Sequence, residues 1–417
     1  MTARGRVLEN HALVVRDGRI LDLLPGSEAA RRYAAASVLG RSAHVLMPGL
    51  VNAHTRAAPF LLRGTGTRGA RPAAHCAGPE LVRDGVLNAL AEMLKSGITC
   101  FADRSEHPDE VARVAAEQGM RAVVGLPVSE VPGPWARSAA DYLTAGLRVR
   151  DEFADHPLIS TVFAPHAADT LSDATFGRIA MLADELDAGI MIDLNASAGE
   201  IARSLAACGS RPIERLLHLG LLTPALNAVH MMHSTAADIE LSQRTGIAVS
   251  LGLQASLGRE QILPPVAAFG AAGMRLGLGT GDSLCDNQDL WSELKLSSLA
   301  MSGARHGESS DAAWDALTMA TRGGAAVLGL EGCIGTLEPG KWADVCCIDL
   351  SGPVTQPMND TLTQLAFCGG RDLVCDVWVA GRQLLSEREF MRLDWNSAAA
   401  RAGGWAARMS TGSGERG

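Results

Sequence analysis

Through the middle of the chain, short β-rich runs alternate with helical patterns, and no other feature limits the fold as tightly. AHVLMPGLVNAH is followed by the helical pattern LVRDGVLNALAEMLKSG, then by ITCFAD, EVARVAAEQG and RAVVGLPV. The same rhythm continues through LISTVFAPH, SDATFGRIAMLADELDAG, IMIDLN, LNAVHMMH, GIAVSLG and MRLGLGTGD. Strands separated by helices pair in parallel, because a parallel neighbour needs a long crossover, and eight such units close a (β/α)8 TIM barrel. Chemistry in that fold sits at the C-terminal ends of the strands. The polar residues that end an apolar run are therefore the first candidates: His54, Arg56, Asp103, His166, Asp193, His230 and Asp282.

The two ends of the chain read differently. HALVVRDGRILDLLPG alternates apolar and polar residues around Asp17-Gly18, as a hairpin with one covered face requires. GTLEPGKWADVCCIDL and DLVCDVWVAGRQLL repeat that character, the second turning at Ala380-Gly381. A lone hairpin buries too little apolar area to persist in water. The expectation is one small β-sandwich domain built from residues 1–48 and 331–390, a barrel over 49–330, and a C-terminal helix with a disordered tail over 391–417.

Composition fits a folded chain with a large core: of 417 residues, 47% are hydrophobic and 20% charged. The net charge of -9 offers no basic field, which argues against nucleic acid or an anionic membrane as partner and leaves a small molecule or a protein. The N-terminus MTARGRVLEN has no apolar signal core and no run of 18 apolar residues occurs, so a cytoplasmic location is expected. The nine cysteines include no CxxC pair and read as reduced, small apolar residues.

At PGLVNAHTR, GITCFAD, FAPHAADTLSD, LADELD, GLGTGDS and IGTLEPGKWADV the chain resembles the amidohydrolase superfamily. More narrowly, it is similar to the bacterial 5'-methylthioadenosine and S-adenosylhomocysteine deaminases and their triazine-hydrolase relatives. The resemblance runs in order from about residue 8 to residue 390. It implies a metal-dependent hydrolase of C–N bonds, a small heterocyclic or nucleoside-like substrate, and a homodimer.

Set against the family motifs, several positions differ. The first-strand His-x-His reads His54-Thr55-Arg56, and a guanidinium, always protonated, has no lone pair for a metal. The fifth-strand His-Leu-x-Glu-Thr reads Asp193-Leu194-Asn195-Ala196-Ser197, with alanine where the resemblance implies a proton-shuttling glutamate. The sixth-strand histidine is His230, and the last-strand aspartate is either lost or displaced by one residue to Asp282. From these substitutions no bound cofactor is expected, zinc or iron being less favoured. His230 and Asp282 are the candidate catalytic groups, and His54, Arg56, His166 and Asp193 the candidate binding groups. Arg56 is expected to fill the metal's place by pairing with Asp193. Three readings stay open: a non-catalytic binding or partner subunit, possibly of an active paralogue; a metal-independent enzyme with changed chemistry; and a working metal-dependent aminohydrolase with rearranged ligands.

Overall fold

The computed structural model describes residues 7–63, 78–281, 287–304 and 309–412. The chain begins with a hairpin, β1 (His11–Arg16) and β2 (Arg19–Pro25), whose turn residues Asp17 and Gly18 both have positive φ, 52° and 78°. Two positive φ values in a two-residue turn match the twist of paired strands. Strand β3 (His44–Pro48) then leads directly into the barrel.

Eight strands make the barrel: β4 (Leu50–Thr55), β5 (Ile98–Asp103), β6 (Arg121–Val128), β7 (Ile159–Pro165), β8 (Ile190–Leu194), β9 (Leu226–His230), β10 (Ala248–Leu251) and β11 (Arg275–Leu278). They are hydrogen-bonded in sequence order, and their pairings are parallel. The ring closes beyond β11, where the Gly281 N–H donates to His54 O at 3.1 Å and the Arg56 N–H to Gly281 O at 3.3 Å. Strands β5 and β8 are buried at every position, which explains why they read as unbroken apolar runs. Helices cover the outside, several of them started by side-chain caps at Ser138, Ser172, Ser197 and Thr235.

Inside the barrel, Ala102, Val123, Met191 and Val229 form an apolar layer, packed on one side by Leu328 and Leu330 from the segment after the last barrel helix. Because side chains two residues apart share a strand face, Arg104 and Asp193 occupy the layer above Ala102 and Met191, toward the C-terminal strand ends.

The chain ends form antiparallel sheets, as expected. Strands β12 (Val345–Asp349), β13 (Val374–Val379), β14 (Arg382–Ser386) and β15 (Glu389–Phe390) join β3 in the order β15-β14-β13-β12-β3. The N-terminal hairpin lies against them: Ile20 N–H donates to Lys341 O at 2.8 Å, and Ile20 packs with Leu337, Ala343 and Val345. The second expected turn, Ala380-Gly381, again has two positive φ values, 46° and 73°, and lies against the first. A Cβ on Gly18 would come within 2.6 Å of Ala380 O, so both turns need their glycine. The closing helix, Trp395–Gly412, runs further than the composition suggested, through the first residues of the glycine-rich end. The remainder of that tail, 413–417, lies outside the described residues. No helix among the described residues is long and apolar enough to cross a membrane.

Candidate active site at the barrel mouth

Each strand end delivers its polar residue to the mouth by a local device. After β5, the Arg104 N–H donates to Thr55 O at 3.1 Å, continuing the pairing with β4 for one residue and turning the guanidinium inward. After β8 and β9, Asn195, His230 and Met231 all take left-handed backbone conformations, with φ of 47°, 76° and 49°. Such conformations are uncommon for non-glycine residues and gather where a structure has to re-aim side chains. The turn is held by Met231 N–H to Leu194 O at 3.1 Å and His233 N–H to Asn195 O at 2.9 Å.

At the centre, the ring of His54 stands edge-on to that of His230, with centroids 5.5 Å apart and an interplanar angle of 82°. Both are buried. Asp193, also buried, makes an ion pair with Arg104 Nη1, and its second oxygen lies 3.4 Å from His166 Nδ1. Arg104 Nη2 donates to the carbonyls of Pro165 and His166 at 3.2 and 3.0 Å, while its buried Nε has no hydrogen-bond partner among the described residues. Burial opposes the charge of Asp193, yet Arg104 and the imidazoles of His166 and His230 hold its carboxyl well below the usual carboxylate range.

The expected Arg56–Asp193 pair is therefore not the one that forms. Asp193 pairs with Arg104, and Arg56, half-buried, contributes its charge at Asp103. Thr55 pairs with Asp103, so Arg56 and Arg104 leave neighbouring strands level with each other, and it is Arg104, in the same layer as Asp193, that reaches the carboxylate. Asp103 has a structural task. Its carboxylate accepts from the backbone N–H groups of Ala57 and Ser105 at 2.6 and 2.7 Å, fastening the loop after β4, while burial raises its pKa. His233 bonds Glu260 at 3.0 Å, away from the centre. Asp282, the other candidate catalytic residue, lies outside the described residues.

Two residues of this centre were missed in the sequence. Arg104 follows the apolar run ITCFAD directly, and the rule that a polar residue ends an apolar run selects its predecessor Asp103. Glu200 lies three residues after Ser197, the capping-box spacing at a helix start. It is buried, and burial together with the charges of Asp193 and Asp169 pushes its pKa up to about 8. A further group of metal-capable side chains, Cys347, Cys375 and Asp376, lies in the β-domain. There both Asp376 oxygens are engaged by Arg41, at 3.0 and 3.1 Å, so the group is a hydrogen-bonded joint between strands.

Residues 45–384 match the amidohydrolase family, and the chain belongs to it. It is 36% identical over 411 residues to a 5-methylthioadenosine/S-adenosylhomocysteine deaminase of Teredinibacter turnerae, covering 96% of this chain and 93% of that protein. A protein of the same description from Saccharophagus degradans is 35% identical, with 96% and 92% covered. Among solved structures, an adenosine deaminase from Xanthomonas campestris with bound zinc superposes with a TM-score of 0.93 at 38% identity, covering 98% of this chain and 95% of that one. An atrazine chlorohydrolase from Arthrobacter aurescens, complexed with zinc, shares the fold at a TM-score of 0.85, 21% identity and 95% coverage of each chain.

These matches correct the expectation that the chain carries no cofactor. A near full-length structural match at 38% identity holds zinc, so counting substituted ligand positions was too strict a criterion. His54 and His230 still stand ring to ring, edge-on with centroids 5.5 Å apart. The described residues nonetheless offer only part of a zinc set. Two imidazoles are in place, Asp193 is engaged by Arg104, and a catalytic zinc takes three protein ligands.

Proposed function

We propose that this chain is an aminohydrolase that takes a small nucleoside-like molecule at the C-terminal end of its barrel and removes an exocyclic amine by hydrolysis, more slowly than relatives with unaltered strand-end motifs. The observation that carries this reading is the buried Arg104–Asp193 ion pair. The guanidinium supplies at Asp193 the positive charge that a bound cation would otherwise supply, so one carboxylate fewer is free to hold a metal. Zinc would be held by His54 and His230 and would supply Lewis acidity at the mouth. The rest falls to the chain itself: Arg104 fixes Asp193, Asp193 orients His166, and the apolar layer below excludes water from the barrel.

The names of the relatives supply the probes: 5'-methylthioadenosine, S-adenosylhomocysteine and adenosine. Ammonia release by zinc-loaded protein should be measurable with at least one of them, and slower by about 10²- to 10⁴-fold than in the Xanthomonas relative assayed alongside, the range that one acid or base group contributes. Family-like turnover would refute the weakening by Arg104. Tight binding of a probe without any turnover would favour the second reading, a non-catalytic binding subunit, which the same ion pair and Ala196 also support.

A further inference from the structure

The barrel is not closed in the same way all round. Neighbouring strands elsewhere in the ring pair within the strands themselves, but β11 and β4 are the two ends of the sheet, and among the described residues a single isolated bridge, Thr55 with Gly281, joins them. His54 lies on β4 at this seam. The segment that follows β11 runs directly along its backbone: the Gly281 N–H donates to His54 O at 3.1 Å, and a Cβ on Gly279 would come within 2.6 Å of that oxygen and 2.7 Å of the His54 nitrogen. The place of His54 therefore depends on the place of Gly279, Thr280 and Gly281.

Side chains do at this seam what backbone pairing does elsewhere. The Thr280 N–H donates to Asn52 Oδ1 at 3.0 Å, and Asn52 Nδ2 donates back to Thr280 Oγ1 at 2.9 Å. Thr280 Oγ1 in turn donates to Gln288 Oε1 at 2.8 Å, and Thr55 Oγ1 donates to the same oxygen at 2.9 Å. One amide oxygen thus spans the seam, taking a hydroxyl from each side. Gln288 is itself anchored: its backbone N–H donates to Glu92 Oε2 at 3.1 Å, and Glu92 is held by Arg63 and Arg371 at 2.9 and 2.7 Å. Asn52, Thr55, Thr280 and Gln288 are all buried. Polar side chains in such a place cost stability unless they are hydrogen-bonded, and these are bonded to one another. A buried network satisfied in this way holds the chain around it in one arrangement.

We propose that Gln288 is a positioning residue for His54: its side-chain oxygen draws the segment after β11 onto β4 and so sets the imidazole edge-on to His230. The proposal rests on the reading above, in which His54 and His230 would hold zinc. Gln288 acts through its two hydroxyl partners, Thr55, next in sequence to His54, and Thr280, between the two glycines that flank the His54 backbone. Groups that orient a metal ligand from outside govern how well it is aimed, and losing one costs about 10- to 100-fold in metal affinity.

Two substitutions test this. Gln288→Met removes the acceptor at nearly equal length, while Gln288→Glu keeps an acceptor oxygen in the same place. Wild type and both variants, stripped of metal, are titrated with zinc in competition with a chromophoric chelator, and thermal unfolding of the metal-free proteins confirms that each is folded. The expected result is a zinc affinity about 10- to 100-fold weaker in Q288M and close to wild type in Q288E. If Q288M does not fold, Thr280→Val opens the same clasp from the other side and carries the same expectation. Wild-type affinity in the opened variant, or an equal loss in Q288E, overturns the positioning role and leaves the reading of the site standing. Wild-type protein that takes up no zinc overturns that reading and the proposal with it.

Discussion

The barrel has a buried arginine–aspartate pair near each end, and the two are built to different standards. Near the N-terminal strand ends, Arg121 of β6 meets Asp344, which precedes β12, in a bidentate fork of 2.8 and 3.0 Å. The remaining guanidinium nitrogen donates to Pro157 O at 3.1 Å, and Asp344 also accepts from the Ala380 N–H at 2.8 Å. That pair ties the barrel to the β-domain, and its polar atoms are answered. At the mouth, Arg104 gives Asp193 a single nitrogen, shares it with His166, and leaves Nε unanswered. Interiors keep a partly satisfied network where something other than stability is being served. The difference teaches that burial and ion pairing alone do not mark a functional site; incomplete satisfaction at a strand end does.

The comparison breaks most visibly if the lower pair is opened. Asp344→Asn leaves Arg121 buried without its counter-charge and loosens the joint between domains, and unfolding by urea should show a loss of about 3 to 5 kcal/mol. Arg104→Met should cost less, about 2 to 3 kcal/mol, because His166 and His230 still compensate part of the Asp193 charge. It should also raise zinc uptake at fixed free zinc, measured by equilibrium dialysis against wild type, since Asp193 would regain a free oxygen. Equal stability losses for the two variants would show that the pairs are the same kind of structure. Arg56→Ala should cost less than Asp344→Asn in the same urea unfolding, because Arg56 is half-buried and Asp103, whose charge it supports, keeps the backbone N–H donors of Ala57 and Ser105.

How much of this was legible in the sequence follows from which signals are local. The barrel, both hairpin turns and the docking of the chain ends were written in hydrophobic period and in Asp17-Gly18 and Ala380-Gly381, because those features act over a few residues. His54, Asp193 and His230 stand out as candidates because each ends an apolar run. The partner of Asp193 does not, since Arg56 and Arg104 follow paired strand residues, Thr55 and Asp103, and which of the two neighbouring arginines reaches Asp193 is settled by tertiary geometry. Glu200 carried a visible signal, its capping spacing from Ser197, but that signal promised only a helix start. That its carboxylate accepts from the Ala196 N–H, at 2.7 Å, is a matter of tertiary geometry.

The finest test of the mouth is in pH, where two of its buried carboxyl groups pull in opposite directions. Asp193 has a folded pKa below its unfolded one, so the unfolded chain takes up a proton first as pH falls; its stabilising contribution is present above about pH 4 and is lost below that. Glu200 runs the other way. Its folded pKa, about 8, lies above the ordinary 4.5, so between those values the folded chain holds a proton that the unfolded chain has released. Stability then declines as pH rises from 4.5 toward 8, by at most about 1.4 kcal/mol per pH unit. Glutamine cannot titrate, so E200Q should flatten the decline while leaving the acid limb set by Asp193 in place. Urea unfolding of both proteins at pH 5, 6, 7 and 8 reads this directly. Parallel stability curves for wild type and E200Q over that range would mean that the Glu200 carboxyl is as well solvated in the folded chain as in the unfolded one, and the mouth of the barrel would lose its distinction from the satisfied joint at the other end.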